Sequence, residues 1–221
     1  MRLLLISSSF VHGFGYLDHP EPEMRAFLGA GRRVAFVPFA AHDHDTYTAT
    51  VRERLGRMDL DVVTIDEVDN ADAIFVGGGN TFRLLKTLHE RDLLTPIRDR
   101  VRAGLPYLGS SAGTVITAPT MRTTNDMPIV QPPSFDALGL VAYQINPHYL
   151  DPDPQSTHKG ETREERIREF HEENETPVVG LREGSILCVE DSVTTLLGEK
   201  AARVFRRGAE PVEMKPGTLE I

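Results

Sequence analysis

Short apolar runs bounded by turn-forming residues recur at positions 3–6, 33–38, 61–65, 73–76 and 105–108, lengths that suit buried strands. Helix-like segments separate them at 21–29, 45–58 and 81–103, the last with a break near Asp92. Strand and helix alternate, which predicts βαβ units on a mainly parallel sheet flanked by helices, an α/β fold. The pattern changes in the second half. Runs at 186–190, 193–197, 202–206 and 210–213, separated by turn dipeptides such as Arg207-Gly208, predict antiparallel strands added to one edge of the sheet. Residues 119–136, rich in Pro, Thr and Asp, predict a long irregular connection, which in a compact domain is more often functional than idle. No internal repeat, low-complexity segment or linker divides the chain, so residues 1–221 read as one domain.

Composition narrows the function classes. With 221 residues, 40% hydrophobic and 26% charged, the chain can bury a sizeable core. No apolar stretch approaches the roughly 20 residues that span a bilayer, and the opening MRLLLISSSF is too short and strand-like for a signal peptide. A soluble cytoplasmic protein without a membrane partner is therefore expected. The excess of 33 acidic over 24 basic residues, a formal charge of −9, repels a phosphate backbone and argues against a nucleic-acid partner. The single cysteine, Cys188, excludes an internal disulfide framework and a multi-cysteine zinc site.

The stretch LPYLGSSAGTVIT, residues 105–117, carries the strongest chemical signal. A strand ending at Leu108 and a helix starting near Ser111 leave about two residues for a sharp corner, which glycines on both sides make possible. Gly109-Ser110-Ser111-Ala112-Gly113 fits G-x-S-x-G with Ser111 at its centre, whereas Ser110 lacks glycines at the matching positions. A hydroxyl at that tip stands clear of the sheet, near a helix N-terminus and the Ala112 amide, both suited to developing negative charge. The alternative is a serine that merely caps the helix. A second glycine cluster, IFVGGGNTFRLL at 74–85, also joins a strand to a helix, and its amides can cradle an anion. Gly79 is the better-motivated second oxyanion donor, with Asn80 as a side-chain donor or a helix cap.

A serine nucleophile needs a base and a carboxylate to orient it. His148, in YQINPHY, follows a short apolar run and is expected on a loop at a strand's end, where catalytic side chains gather. Asp126 in RTTNDMP and Glu183 in GLREGS compete as the orienting acid, and spacing leaves the choice open. The run His42-Asp43-His44-Asp45 resembles a metal cluster, but alternating residues of this kind before a helix more often cap it. In the helix-like segment 160–174, Ile167 and Phe170 mark the inward side, and Arg163, four residues before Ile167, shares it. An inward arginine needs a partner, which is either a neighbouring glutamate or a substrate carboxylate held by two bonds.

GGGNTFRLLK, GSSAG, PTMRTTNDMPIV, FDALGL, QINPHY and HKGETREERIREF, in that order and over nearly the whole chain, closely resemble the peptidase E family. These are the α-aspartyl dipeptidases of the serine peptidase family that also contains cyanophycinase. The resemblance implies a fold similar to class I glutamine amidotransferase domains (flavodoxin-like), with serine replacing the cysteine nucleophile. It implies hydrolysis of dipeptides with an N-terminal aspartate, Ser111 as nucleophile and His148 as base. It favours Glu183 over Asp126 as the acid, matches Gly79 and Ala112 to the oxyanion donors, and matches Asn80 and Arg163 to positions that hold the substrate's aspartate. No metal or cofactor is implied, and the expected partner is a small peptide met by a monomer or homodimer. One departure is that the family often carries tryptophan before the nucleophile, where this chain has Ser110. Rival readings are a related hydrolase of cyanophycin-like or isoaspartyl bonds, and a non-catalytic module that binds an anion at the GGGNT turn. A glutamine amidotransferase is disfavoured because Cys188 sits in the apolar run ILCVE and no cysteine occupies the corner.

Overall fold

The computed structural model describes residues 1–152, 155, 157 and 160–221; His158 and Lys159 of the HKGETREERIREF motif lie outside the described residues. The first half runs β1 (Arg2–Ile6), α1 (Glu21–Leu28), β2 (Arg32–Val37), α2 (His44–Gly56), β3 (Leu60–Thr64), β4 (Ala73–Val76), α3 (Thr81–Glu90), α4 (Leu94–Arg102) and β5 (Tyr107–Ser110). A short α5 (Ala112–Val115) leads into irregular chain, followed by β6 (Gln144–Tyr149), α6 (Arg163–Glu173) and β7 (Val178–Arg182). The C-terminal strands are β8 (Ile186–Glu190), β9 (Val193–Leu197), β10 (Ala202–Phe205), β11 (Val212–Met214) and β12 (Gly217–Thr218). Among the described residues no helix is long and apolar enough to cross a membrane.

Strands β1, β5, β4, β2 and β3 lie side by side and parallel, as the βαβ pattern predicts. Alternate residues of each strand feed opposite layers. Leu4, Ile6, Val34, Phe36 and Phe75 pack against Met24, Phe27, Val51 and Leu55 of α1 and α2. Leu3, Leu5, Ala35, Val37 and Val76 face the other way, onto Leu84, Leu85, Leu88, Ile97 and Val101 of α3 and α4. The helical segment 81–103 breaks where expected, with Asp92 in left-handed conformation (φ 52°) between α3 and α4.

The antiparallel strands do not all join one edge. β8, β9 and β12 extend the main sheet beyond β1, but β10 and β11 pair with β7 and β6 in a separate four-stranded sheet. From β7 onward the chain crosses between the sheets three times, at residues 183–185, 198–201 and 215–216. Local alternation identifies a strand but not its partner, which a turn and long-range packing select. The second sheet packs Ile145, Val179, Leu181 and Val204 onto the core shared with α3 and α4. Its other face, through Tyr149, Val178 and Phe205, covers Ile167 and Phe170 of α6. Thr162 and Glu165 begin α6 with a reciprocal capping box.

Arg182, the last residue of β7, fastens this sheet. Its guanidinium meets Asp151 at 2.6 and 2.8 Å, Glu213 at 2.9 Å through each carboxylate oxygen, and the Ala201 carbonyl at 2.6 Å. Hydrogen bonds from Arg182 hold the Asp151 and Glu213 carboxyls below their ordinary range. Carboxyls lowered in the folded state contribute stability that is present above their unfolded pKa, about 4, and is lost as pH falls through the folded value. Arg182→Met should therefore cost about 1–2 kcal/mol at pH 7 after screening of the half-exposed carboxylates. In urea denaturation the deficit should shrink as pH drops below about 4; a deficit that does not change with pH would contradict this role.

Candidate active site

Three adjacent parallel strands, β1, β5 and β4, end at one edge of the main sheet, and the segments that leave them are Ser7–Ser9, Ser110–Ser111 and Gly77–Gly79. Ligand sites of open α/β sheets form at such carboxyl ends. Here β5 continues to Ser110, two residues further than the sequence suggests, and Ser111 alone makes the corner. Its backbone has φ 52° and ψ −108°, a conformation that costs a non-glycine residue about 1–3 kcal/mol. The following helix is only four residues long, so its dipole is small and local amides must supply most of the stabilisation of negative charge.

Packing holds the corner in this shape. The Ser111 amide donates to the Ile6 carbonyl at 3.0 Å. The Thr114 hydroxyl lies 2.7 Å from the Ile6 carbonyl and 2.9 Å from that of Gly109, and Tyr107 donates to the Gly113 carbonyl at 2.6 Å. A side chain on Gly113 would collide with the Val76 carbonyl, and one on Gly78 would meet Ser111 Cβ at 3.1 Å. Ser110, at the position where the family often carries tryptophan, is fully buried with its hydroxyl 2.6 Å from that of Ser9.

The second sheet delivers the histidine. His148 is not on a loop after a strand but inside β6, at a bulge between Pro147 and Tyr149, with φ 53°. A bulge re-aims a side chain, and here it turns the imidazole towards the corner. Ser111 Oγ lies 2.8 Å from His148 Nε2, and His148 Nδ1 lies 2.7 Å from Glu183 Oε1. An ionised carboxylate can only accept, so Nδ1 carries the proton and the neutral ring's Nε2 accepts from the serine hydroxyl. Of the two competing acids, Glu183 meets the imidazole. Asp126 is instead bound to Thr81, whose amide and hydroxyl donate to Oδ2 at 2.7 and 2.6 Å.

A cavity of about 580 Å³ opens over this arrangement, lined by Ser111, His148, Glu183, Gly79 and Asp126 with Phe10 among its further walls. Among the described residues no hydrogen-bond acceptor meets the Gly79 amide or the Ala112 amide. Asn80 takes the helix-cap alternative of the sequence expectation, and both ends of its amide are occupied. Its Oδ1 caps α3 through the Arg83 amide at 3.1 Å, and its Nδ2 donates to the Met127 carbonyl at 2.9 Å. Arg163 opens α6 half-buried, without a hydrogen bond or ion pair among the described residues. Burial and Arg166 lower its pKa while the charge of Asp126 raises it. At the other helix in question, Asp43 caps α2 through the Thr46 amide at 3.0 Å.

Sequence reasoning passed over Ser7. Its hydroxyl accepts from the His148 amide at 3.0 Å and donates to the Leu181 carbonyl at 2.8 Å, while its own amide donates to Ser185 at 3.1 Å. One residue at the end of β1 thus ties the histidine's bulge to the chain on either side of Glu183. The run of three serines leaving a parallel strand was the available signal.

The chain matches a model of peptidase family S51 over residues 3–197. It is 59% identical to a peptidase E of Streptomyces coelicolor, covering 99% of this chain and 93% of that one. It is 48% identical to a Drosophila melanogaster protein named "Probable alpha-aspartyl dipeptidase", covering 97% and 94%. The solved structure of a peptidase from an acI-B1 actinobacterium shares the fold, with a TM-score of 0.72 at 14% identity over 100% of this chain and 96% of that one.

The strain at the corner is measurable. Replacing Ser111 by glycine removes the side chain that disfavours φ 52°, whereas alanine keeps it. In urea denaturation Ser111→Gly should be about 1–2 kcal/mol more stable than Ser111→Ala, net of the greater chain entropy glycine loses on folding. Equal stabilities would show that the corner is unstrained.

Proposed function

The chain belongs to peptidase family S51, and from that membership and the site's geometry we propose that it is a serine dipeptidase that removes an N-terminal aspartate. The single observation that carries the reading is the continuous contact from Ser111 through His148 to Glu183, 2.8 and 2.7 Å long, on a strained strand-to-helix corner. The aspartyl preference rests on the peptidase E relatives and on the name of the Drosophila one.

His148 Nε2 takes the Ser111 proton as Oγ attacks the carbonyl carbon after aspartate. Glu183 holds the imidazole in the productive tautomer and stabilises the imidazolium that forms. The Gly79 and Ala112 amides, which meet no acceptor among the described residues, bind the oxyanion. His148 then protonates the leaving amine, and water, deprotonated by the same imidazole, releases aspartate from Ser111. The substrate's side-chain carboxylate is assigned to Arg163, a half-buried cation with no partner of its own among the described residues.

The experiment is release of free aspartate from Asp-Leu, with Leu-Leu and β-Asp-Leu as controls. Release from Asp-Leu alone, abolished by Ser111→Ala, is the expected result; release from β-Asp-Leu in preference would instead indicate an isoaspartyl hydrolase. Arg163→Met should lower kcat/KM for Asp-Leu by roughly 100-fold or more, as expected when a charged pair loses one member, and should leave hydrolysis of a simple uncharged ester nearly unchanged. Equal losses on both substrates would remove Arg163 from the pocket.

A further inference from the structure

Phe10 leaves most of its surface in solvent, 61% exposed, yet it lines the nucleophile's cavity. It is the outer end of a row of aromatic rings. Its centroid lies 5.2 Å from that of Tyr16, Tyr16 lies 6.4 Å from Tyr47, and Tyr47 lies 5.1 Å from Phe36. Phe36 is buried in the core beneath α1 and α2, so the row runs from the core out to the cavity. Tyr16 and Tyr47 line the same cavity. The Tyr16 hydroxyl donates to that of Tyr47 at 3.3 Å, and burial pushes both phenols above their ordinary range. This wall is therefore aromatic and uncharged, with its polar tips turned to each other.

The backbone holds Phe10 in place. Its amide donates to Ser8 Oγ at 3.2 Å, and the Ser8 hydroxyl donates back to the Phe10 carbonyl. Ser9 Oγ lies 2.6 Å from Ser110 Oγ, which fixes the start of the loop beside the nucleophile, and the Leu17 amide closes the loop on the Ser9 carbonyl at 2.8 Å. The aromatic row belongs to the α1 and α2 side of the main sheet, whereas the second sheet, with His148 and α6, packs on the α3 and α4 side. Ser111, at the end of β5 in the sheet itself, stands between the two. With the aspartyl carboxylate assigned to Arg163 on α6, the residue after the scissile bond is directed across the corner, towards the rings.

We propose that Phe10, with Tyr16 and Tyr47 behind it, receives the side chain of the dipeptide's second residue, so that the site favours large apolar side chains there. This rests on the dipeptidase reading and deepens it by naming the class of leaving amino acid. A leucine or phenylalanine side chain laid on the rings removes both surfaces from water, a gain that glycine cannot make. An acidic side chain would make no such gain and would meet the Glu183 carboxylate, which lines the same cavity. Because Phe10 is open to solvent on its outer side, the preference is graded rather than absolute.

The test measures kcat/KM for Asp-Gly, Asp-Leu, Asp-Phe and Asp-Glu. The native chain should prefer Asp-Leu and Asp-Phe to Asp-Gly by roughly 10-fold, the scale of a partly buried apolar side chain. Phe10→Ala should bring that ratio most of the way to one. Phe14, 55% exposed on the same loop but not a wall of the cavity, is the control, and Phe14→Ala should keep the native ratio. Phe10→Arg should raise Asp-Glu relative to Asp-Leu, because it sets a cation where the acidic side chain would lie. A ratio that Phe10→Ala leaves unchanged, or that Phe14→Ala lowers equally, overturns the proposal. Should Phe10→Ala fail to fold, Phe10→Arg carries the test, and an unchanged Asp-Glu to Asp-Leu ratio overturns it. A native chain that cleaves Asp-Gly, Asp-Leu and Asp-Phe alike refutes the role of Phe10 and spares the dipeptidase reading, whereas one that cleaves none of them refutes both.

Discussion

The hydrogen bond between Ser111 and His148 joins two residues from different sheets, and the rest of the architecture exists to make their 2.8 Å separation reproducible. Ser111 belongs to the parallel sheet and is placed by β5; His148 belongs to the four-stranded sheet and is placed by a bulge in β6. Two layers joined only by apolar packing can slide by fractions of an ångström, which is enough to degrade a proton transfer. Ser7 opposes that sliding. Its amide and hydroxyl bond the end of β1 to Leu181, Ser185 and His148 at once, so β1, whose Ile6 carbonyl holds the Ser111 amide, and the histidine's strand share one fixed point.

Strain is concentrated at the same place. Ser111 and His148 both hold positive φ, at 52° and 53°, each a cost of the order of 1–3 kcal/mol that only surrounding structure can offset. The offset is visible around Ser111 as buried hydrogen bonds from Thr114 and Tyr107 and as glycine positions too tight for a side chain. The result is a hydroxyl aimed away from the sheet and towards the imidazole before any substrate arrives, the preorganisation on which electrostatic catalysis depends. Below the corner, two apolar layers on opposite faces of the sheet supply the burial that makes such strain tolerable.

How much of this could be read from residues alone depended on whether the information was local. Buried parallel strands announce themselves as short apolar runs, and β1 to β5 fell within two residues of their expected positions. The corner was legible because a sharp turn needs small residues at set offsets, which the GSSAG run displays. Membership of the second sheet was not legible, since β8 and β10 have similar local patterns and differ only in distant partners. His148 was identified by its neighbourhood but misplaced on a loop, because a bulge leaves no simple periodic trace. Spacing could not choose between Glu183 and Asp126; the choice appears only when the crossing at 183–185 brings Glu183 beside the imidazole. Asn80 and Arg163 show the same limit from the other side: spacing left open whether Asn80 is a donor or the helix cap it proves to be, and Arg163 meets no hydrogen-bond or ion-pair partner among the described residues.

The central claim is that Ser111 forms a covalent bond to the substrate's aspartyl carbonyl. Native protein mixed with an aspartyl anilide, quenched in acid within the first turnover and digested, tests it directly by mass spectrometry. The account predicts an aspartyl ester on the peptide that contains Ser111, formed in a burst and lost as aspartate appears. Steady release of aspartate with no adduct under any quench time, or an adduct on another residue, would contradict it.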